Sequence, residues 1–394
     1  MRFSKLTERI SGLGSKAWSV HSAGAQRQRD GQDIILLSIG DHEFDTPVPI
    51  VDTVIASLRA GRHHYVPAGG DRRLREAIAR RHQSDTGQPT TSDNVTVLPG
   101  AQCGLYSAAA CLFESGDEVI VTAPMYATYE GTIRTSGATV SPLPLRAENG
   151  FHLDPDELMA AVSPATRGLL INTPHNPTGA VFRRAELEAV AEVCNAHDLW
   201  LVSDEVYASL TFDAPHLSPV TLQDMAARTV VISSLSKSHA MTGWRIGWIV
   251  APTPLVAHIE HLAGYMLFGV PPFIQDAAMF AIENTPAEIV EFRDLYRRRR
   301  DLVCARLAAL PLIRFHRPEG AMYVMIDIRP TGMSALDFAW GLLDEQGVAL
   351  LPGEGFGDAG AGHVRLSLSA PEPMLETALE RIAGYVAALT SRVA

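Results

Sequence analysis

The feature that most constrains the fold is a regular alternation of short apolar runs with helix-length amphipathic stretches between about residues 46 and 285. The apolar runs cover residues 95–98, 118–121, 168–171, 199–202, 229–232 and 246–250. Strands that are apolar on both faces and separated by helices indicate an α/β fold with a mostly parallel sheet between helices. Such a sheet binds ligands in the crevice at the carboxyl ends of its strands.

The pattern changes after Pro271 and Pro272. A charged helix is predicted over residues 286–307, then a strand at 322–326 and a helix at 335–345. Residues 364–368 alternate as a half-exposed strand does, and a final helix is predicted over residues 373–389. We therefore expect a large domain over residues 46–285 and a smaller α+β domain over residues 286–394, which the N-terminal segment 1–45 joins.

The composition excludes several classes of function. The chain has 394 residues, 46% of them hydrophobic and 20% charged, as a soluble two-domain enzyme does. Its net charge of −11 argues against nucleic acid or an anionic membrane as a partner. The run Arg297–Arg300 lies among acidic residues in a helical pattern, so a solvated helix face is expected there.

The cysteines and the N-terminus predict a cytoplasmic protein. No secretion signal precedes the fold, and no apolar stretch is long enough to span a bilayer. His63 and His64 lack a third ligand, so no metal site is expected, and residues 12–17 match GxGxxA without a preceding strand. Four cysteines without a CxxC pair predict reduced thiols, at Cys103, Cys111, Cys194 and Cys304.

Lys237 is the first candidate catalytic residue because it follows the predicted buried strand at 229–232. A lysine amine can act as a Schiff-base nucleophile when its surroundings lower its pKa. Ser234, Ser236 and Arg245 would supply hydrogen-bond donors to a phosphate beside that amine. An amine with a phosphate clamp predicts pyridoxal phosphate (PLP) as the cofactor. A loop lysine that packs by its stem is the alternative.

Other polar residues also follow predicted strands. Ala101 and Gln102 open a helix whose N-terminus favours a phosphate. Asp204 follows the 199–202 run, where a carboxylate would keep a pyridine nitrogen protonated; a helix N-cap is its alternative role. Tyr126 follows another strand end and would stack on an aromatic ring.

Two further segments offer hydrogen-bond donors. Two prolines and a glycine make residues 172–179 a rigid turn, from which Asn176 would donate to a phenolate oxygen together with Tyr207. Arg365, in the predicted strand at 364–368, matches an α-carboxylate through its bidentate fork. A surface arginine on an edge strand is the alternative.

With these residues collected, the chain resembles the class I/II aminotransferases of PLP-dependent fold type I over nearly its whole length. The resemblance is carried by residues 40–47, Tyr65 with Gly70 and Arg75, residues 172–179, residues 204–207, residues 234–247 and Arg365. It implies a mostly parallel seven-stranded sheet in the large domain, and a homodimer whose sites lie at the subunit interface.

The resemblance also implies residue roles. Lys237 would form the imine with PLP, Asp204 would pair with the pyridinium, and Tyr126 would stack on the ring as the third catalytic residue. Asn176 and Tyr207 would hold the phenolate oxygen. The substrate carboxylate would be bound by Arg365 with Gly40, Asn172 and Asn176, and the phosphate by Ala101, Gln102, Ser234, Ser236, Arg245 and Tyr65 of the neighbouring subunit.

The implied reaction is a ping-pong transfer of the amino group of an L-amino acid to a 2-oxo acid such as pyruvate. Residues 99–103, 196–200 and 234–248 are similar to those of arginine:pyruvate transaminases, so arginine or a related guanidino amino acid is the expected donor. The family usually has a proline where this chain has His42, which affects the side-chain pocket. Asp41 or Glu43 is the candidate partner of a guanidinium.

Related activities on the same fold remain open at this point: a PLP-dependent oxidase or hydroxylase of arginine, or a C–S β-lyase. These share the reaction step at the substrate Cα and diverge afterwards. A non-catalytic PLP-binding regulator would need a DNA-binding module, whereas the roughly 40 residues before Gly40 show no basic helix-turn-helix pattern.

Overall fold

The computed structural model describes residues 1–11, 15–284 and 287–393. The GxGxxA glycines at 12–14, the predicted domain boundary at 285–286 and the predicted helix start at 286 lie outside these ranges. In the described residues no helix is both long and apolar enough to cross a bilayer.

Thirteen strands occur in the described residues. They are β1 Ile35–Leu36, β2 Val95–Leu98, β3 Glu118–Ala123, β4 Thr139–Pro144, β5 Thr166–Asn172, β6 Trp200–Asp204, β7 Thr229–Ser234, β8 Gly247–Val250, β9 Arg314–Phe315, β10 Tyr323–Asp327, β11 Val348–Ala349, β12 Leu351–Pro352 and β13 His363–Ser367. All six apolar runs predicted to be strands are strands.

The described α-helices also number thirteen. They are α1 Lys5–Ile10, α2 Ser15–Arg29, α3 Val48–Arg59, α4 Arg72–Thr86, α5 Ala101–Leu112, α6 Tyr129–Ser136, α7 Pro155–Ala161, α8 Arg184–Ala196, α9 Thr253–Met266, α10 Pro272–Asn284, α11 Ala287–Leu307, α12 Ala335–Gln346 and α13 Glu372–Val393. Short 3₁₀ segments connect several of them.

The large sheet has seven strands in the order β2-β8-β7-β6-β5-β3-β4. The pairs from β7 to β4 are parallel, and β8 is antiparallel to both of its neighbours. Side chains alternate between the faces: Leu169 and Leu201 pack with α7 and α8, while Leu170 and Val202 pack with α5. Burial on both faces explains the continuous apolar runs and confirms the predicted fold class.

A smaller four-stranded antiparallel sheet has the order β12-β13-β10-β9. Residues of α11, α12 and α13 pack in the same core cluster as its strands. Near the N-terminus, β1 pairs in parallel with β11. The N-terminal segment thus contacts the C-terminal part of the chain, and the division into domains at residues 45 and 285 stays a prediction.

The prediction of a half-exposed strand at 364–368 is wrong. All five residues of β13 are buried because β12 and β10 flank the strand and helices cover it. Arg365 is only 3% exposed. The alternative of a surface arginine on an edge strand is therefore also wrong.

The prediction of a solvated face for Arg297–Arg300 is wrong for two of the four arginines. Arg299 is buried, forms an ion pair with Glu43 and lies 5.2 Å from the Phe44 ring centroid. Arg300 is also buried and pairs with Asp213 at 2.6 Å. Buried charges require partners, and here Glu43 and Asp213 come from segments distant in sequence, while the neighbouring Asp301 also pairs with Arg300.

Candidate active site

A cavity of about 180 Å³ lies at the carboxyl ends of β5, β6 and β7. We call it the strand-end cavity. It is where the parallel sheet was expected to place a site. Eleven residues proposed from sequence line it: Ala101, Gln102, Tyr126, Asn172, Asn176, Asp204, Tyr207, Ser234, Ser236, Lys237 and Arg245. In the described residues no group of histidine, cysteine and acidic side chains is arranged to hold a metal.

Lys237 lies in the turn after β7 and is partly buried. Its Nζ donates a hydrogen bond to the carbonyl oxygen of Gly40 at 2.5 Å. This contact places Gly40 beside the amine, although 197 residues separate the two in sequence. The chain contains three lysines, at positions 5, 16 and 237. Lys237 is the lysine that lines the strand-end cavity.

Asp204 is the last residue of β6 and is 4% exposed. Its Oδ2 accepts a hydrogen bond from the Tyr129 hydroxyl at 2.7 Å, and its Oδ1 accepts one from the Val206 N–H at 3.2 Å. Turns rather than an α-helix follow, so the helix N-cap alternative is wrong. Burial raises the pKa of Asp204 from 3.8 to about 6. A nearby cation would therefore stabilise its ionised form.

The part of the cavity formed by the start of α5 and Arg245 suits a phosphate. Gly100 precedes α5 with φ of 83° and no side chain caps the helix N–H groups, so these remain for an anion. A Cβ on Gly100 would lie 2.5 Å from a guanidinium nitrogen of Arg245, so glycine permits this close approach. Arg245 donates to the Thr242 carbonyl at 2.8 Å through Nη1. Ser234 and Ser236 complete this part of the cavity.

Hydrogen bonds fix the residues along the cavity wall. The Asn172 side chain donates to the Asp204 carbonyl at 2.9 Å and accepts from the Asn176 N–H at 2.7 Å. The Tyr207 hydroxyl lies 2.9 Å from that of Tyr323. Tyr126 is enclosed, and burial raises its pKa. Its hydroxyl therefore remains a neutral donor.

Arg365 lies behind Asn176 rather than in the cavity lining. Its Nη1 donates to Asn176 Oδ1 at 2.8 Å and its Nη2 to the Ser38 carbonyl at 2.7 Å. The guanidinium lies 4.1 Å from the Tyr323 ring centroid and 4.8 Å from that of Phe356. Its Nε is buried without a hydrogen-bond partner in the part of the chain that the structure describes.

Tyr65 is not brought to the strand-end cavity of its own chain. Its side chain is 86% exposed, and its ring lies 5.1 Å from that of Phe268, which is 63% exposed. This placement is compatible with a role in a neighbouring subunit.

Sequence reasoning missed Tyr129, Thr242 and Tyr323, which contact predicted site residues. Tyr129 lies in the first turn of α6 and Tyr323 in β10, where no strand-end signal marks them. It also missed the contacts of His42, whose Nδ1 lies 2.9 Å from the Tyr296 hydroxyl. Burial, and then the charge of Lys237, lower the pKa of His42 to about 4, so the imidazole is neutral.

The two acidic candidates for guanidinium recognition differ. Glu43 already forms an ion pair with the buried Arg299, so it is not a free partner for a substrate. Asp41 is exposed and its Oδ1 accepts a hydrogen bond from the Thr242 hydroxyl at 2.7 Å. Because Thr242 lines the strand-end cavity, Asp41 lies at its edge.

The donor set fits PLP. An amine at Lys237 suits the aldehyde, and the uncapped start of α5 with Arg245 suits the phosphate. The buried carboxyl of Asp204 suits a protonated ring nitrogen, which would stabilise its ionised form.

Comparison with known proteins agrees with this arrangement. Residues 32–382 match the family Aminotransferase class I and II. An arginine–pyruvate transaminase of Pseudomonas aeruginosa is 52% identical over 383 residues, covering 97% of this chain and 98% of the relative. An aspartate/prephenate aminotransferase of Thermus thermophilus is 35% identical, with coverage of 96% and 98%. The solved structure of a Thermus thermophilus aspartate aminotransferase with maleate has a TM-score of 0.93 at 34% identity, covering 98% of this chain and 100% of that one.

Proposed function

The chain belongs to the class I and II aminotransferases, which use PLP, and from that premise we propose that it transfers the α-amino group of L-arginine to pyruvate. The choice of arginine and pyruvate as substrates rests on the similarity to the Pseudomonas arginine–pyruvate transaminase along nearly the whole chain. Family membership favours transamination over the oxidase, lyase and regulator alternatives.

We propose Lys237 as the nucleophile and the base. When bound, PLP supplies an aldehyde that holds the amino group and a conjugated ring that accepts electrons from the substrate Cα. The Lys237 amine would hold the cofactor and, when free, would move the proton at the substrate Cα. Asp204, which is buried and held by Tyr129, would pair with the ring nitrogen and favour its protonated form.

We propose that Arg365 binds the substrate α-carboxylate, with Gly40, Asn172 and Asn176 around it. Arg365 is held between two aromatic rings, so its fork is oriented before the substrate arrives. Asn176 Oδ1 accepts from Arg365, which leaves the amide nitrogen to donate to the cofactor phenolate oxygen. A preoriented guanidinium loses little entropy on binding a carboxylate.

Asp41 is proposed to recognise the guanidinium of the donor. Replacing Asp41 with asparagine removes the charge but keeps an acceptor for the Thr242 hydroxyl. We expect kcat/KM for arginine to fall by about 10- to 100-fold, the effect of losing one charged hydrogen bond. With alanine as donor we expect little change. The measurement is pyruvate-dependent formation of the 2-oxo acid across a panel of donors.

Asp45→Asn is the matched control, since Asp45 is an exposed acid of the same segment. An equal loss with arginine and alanine would remove Asp41 as the determinant of specificity. A native enzyme that prefers aspartate or aromatic donors would remove the arginine assignment itself.

We further propose a homodimer in which Tyr65 reaches the phosphate end of the partner's cavity. Tyr65, Tyr265 and Phe268 are exposed aromatic side chains, and α3 exposes apolar residues including Val48 and Leu58. Exposed apolar groups of this extent are typical of an interface. Sedimentation equilibrium of native protein should give twice the mass of one chain. A monomer that retains full activity would contradict this proposal.

A further inference from the structure

A second cavity of about 440 Å³ lies outside the active site. It is bounded by residues 181–184 at the start of α8, residues 213–217 and Glu319. None of the residues that line the strand-end cavity lines this one. The mechanism proposed above uses no part of it.

The residues that line the second cavity include positively charged, negatively charged and apolar side chains. Arg183 and Arg184 supply two cations whose side chains are 67% and 65% exposed, so a ligand can reach them. Glu319 supplies a carboxylate whose side chain is 35% exposed, whereas Asp213 is already paired with the buried Arg300. The apolar lining residues include Val181, Phe182, Pro215 and Leu217. Paired opposite charges beside an apolar surface match a zwitterion with an apolar side chain.

His216 provides a separate sign of a ligand. Its side chain is 10% exposed and it lines the second cavity. Its Nε2 lies 2.9 Å from Glu205 Oε2, whereas its Nδ1 is buried without a hydrogen-bond partner among the residues that the structure describes. Buried ring nitrogens normally have a hydrogen-bond partner, so we expect a polar group of a ligand to bind Nδ1 of His216.

Glu205 connects this histidine to the active site. Glu205 follows Asp204 directly, and successive side chains at a strand end point to opposite faces. It is buried and accepts hydrogen bonds from Ser203 at 2.9 Å and Ser218 at 2.7 Å. Burial raises the pKa of Asp204, and the charge of Glu205 adds to that rise. A change at His216 therefore alters the field at the carboxyl that faces the cofactor.

We propose that the second cavity binds a free zwitterionic amino acid and that its occupancy is transmitted to Asp204 through His216 and Glu205. The ligand carboxylate lies toward Arg183 and Arg184, its ammonium toward Glu319, and its side chain on the apolar residues of the lining. The site is thus a regulatory amino-acid site beside an enzyme of amino-acid turnover.

Binding is tested with labelled 1-aminocyclopentane-1-carboxylate, a zwitterion with an apolar ring and no α-hydrogen. Borohydride-reduced holoenzyme is used, because its cofactor is fixed and cannot exchange with the probe. In equilibrium dialysis we expect the double variant Arg183→Ala/Arg184→Ala to bind at least about tenfold more weakly than native enzyme, since charged hydrogen bonds are lost. Absence of native binding, or unchanged binding by the variant, overturns the proposal.

The control is Arg80→Ala/Arg81→Ala, an adjacent arginine pair on α4 with side chains 63% and 52% exposed. It should bind like native enzyme. If the control variant loses binding equally, the loss reflects the change in the protein's net charge, and the proposed site is wrong.

Transmission is tested separately with unreduced holoenzyme. The probe should change kcat of native enzyme but not of His216→Gln, which can still donate to Glu205 but has no second ring nitrogen. Competition at the active site would affect both alike and would contradict transmission. Any working donor and acceptor serve, so the outcome is independent of the arginine assignment.

Discussion

Replacing Lys237 with alanine is expected to lower kcat by at least about 10⁴-fold, because one amine supplies both the covalent attachment and the proton transfer. Among the residues that line the strand-end cavity, Lys237 is the one lysine, so no other side-chain amine there can replace it. The visible absorbance of the lysine-bound cofactor should disappear with the activity. The measurements are an absorbance spectrum and a turnover assay on the same preparation.

Lys237→Arg is the matched control, since it keeps a cation near the Gly40 carbonyl without a nucleophilic amine. It should be as inactive as the alanine variant. Borohydride reduction of native holoenzyme should then label the peptide that contains position 237, with Lys5 and Lys16 as the other lysines of the chain. Label at either of those, or normal turnover by Lys237→Ala, would contradict the assignment.

Much of the large domain could be predicted from the sequence because its strands are buried on both faces. Continuous apolar runs such as 229–232 are unambiguous when helix patterns separate them. The polar residues after those runs could be collected for a related reason: parallel strands end at one edge. Asp204 ends β6 and Lys237 follows the adjacent β7, and the sheet therefore brings them to one cavity.

The small domain was harder to predict because its burial depends on contacts between distant segments. Residues 364–368 alternate in sequence, yet β13 is central and covered. Arg299 is buried because Glu43, 256 residues away, supplies its counter-charge. Neither a periodicity nor a local charge pattern contains such pairings. For the same reason, the Tyr129 contact to Asp204 was not predicted.

Asp204→Asn should have opposite effects on the cofactor-free and the loaded enzyme. In the loaded enzyme it removes the anion that pairs with the ring nitrogen. Loss of one partner from a buried ion pair costs about 3–5 kcal/mol, so activity should fall by more than about a hundredfold. Asparagine can still accept the Val206 N–H bond through its amide oxygen, and its amide nitrogen can donate to the Tyr129 hydroxyl oxygen. The loss therefore reports the charge rather than the contacts.

In the cofactor-free protein the same substitution should stabilise the fold above pH 6. Burial raises the folded pKa of Asp204 from 3.8 to about 6, so its contribution to stability is present below pH 3.8 and is lost as the pH rises through 6. Asparagine avoids burying that charge. The free energy of unfolding should therefore rise by about 3 kcal/mol at pH 8 and by less at pH 5. The free energy of unfolding in denaturant, at both pH values, measures it.

Glu205→Gln is the contrasting control, because the pKa of this adjacent buried carboxyl is lowered, whereas the pKa of Asp204 is raised. Burial alone would raise the pKa of Glu205, yet the charge of His216 and hydrogen bonds from His216, Ser218 and Ser203 hold it below its usual value. Its ionised form therefore stabilises the fold above the unfolded pKa, and Glu205→Gln should destabilise the protein at pH 8. If both variants shift stability in the same direction at pH 8, the buried carboxyl of Asp204 is not held ready for a cation.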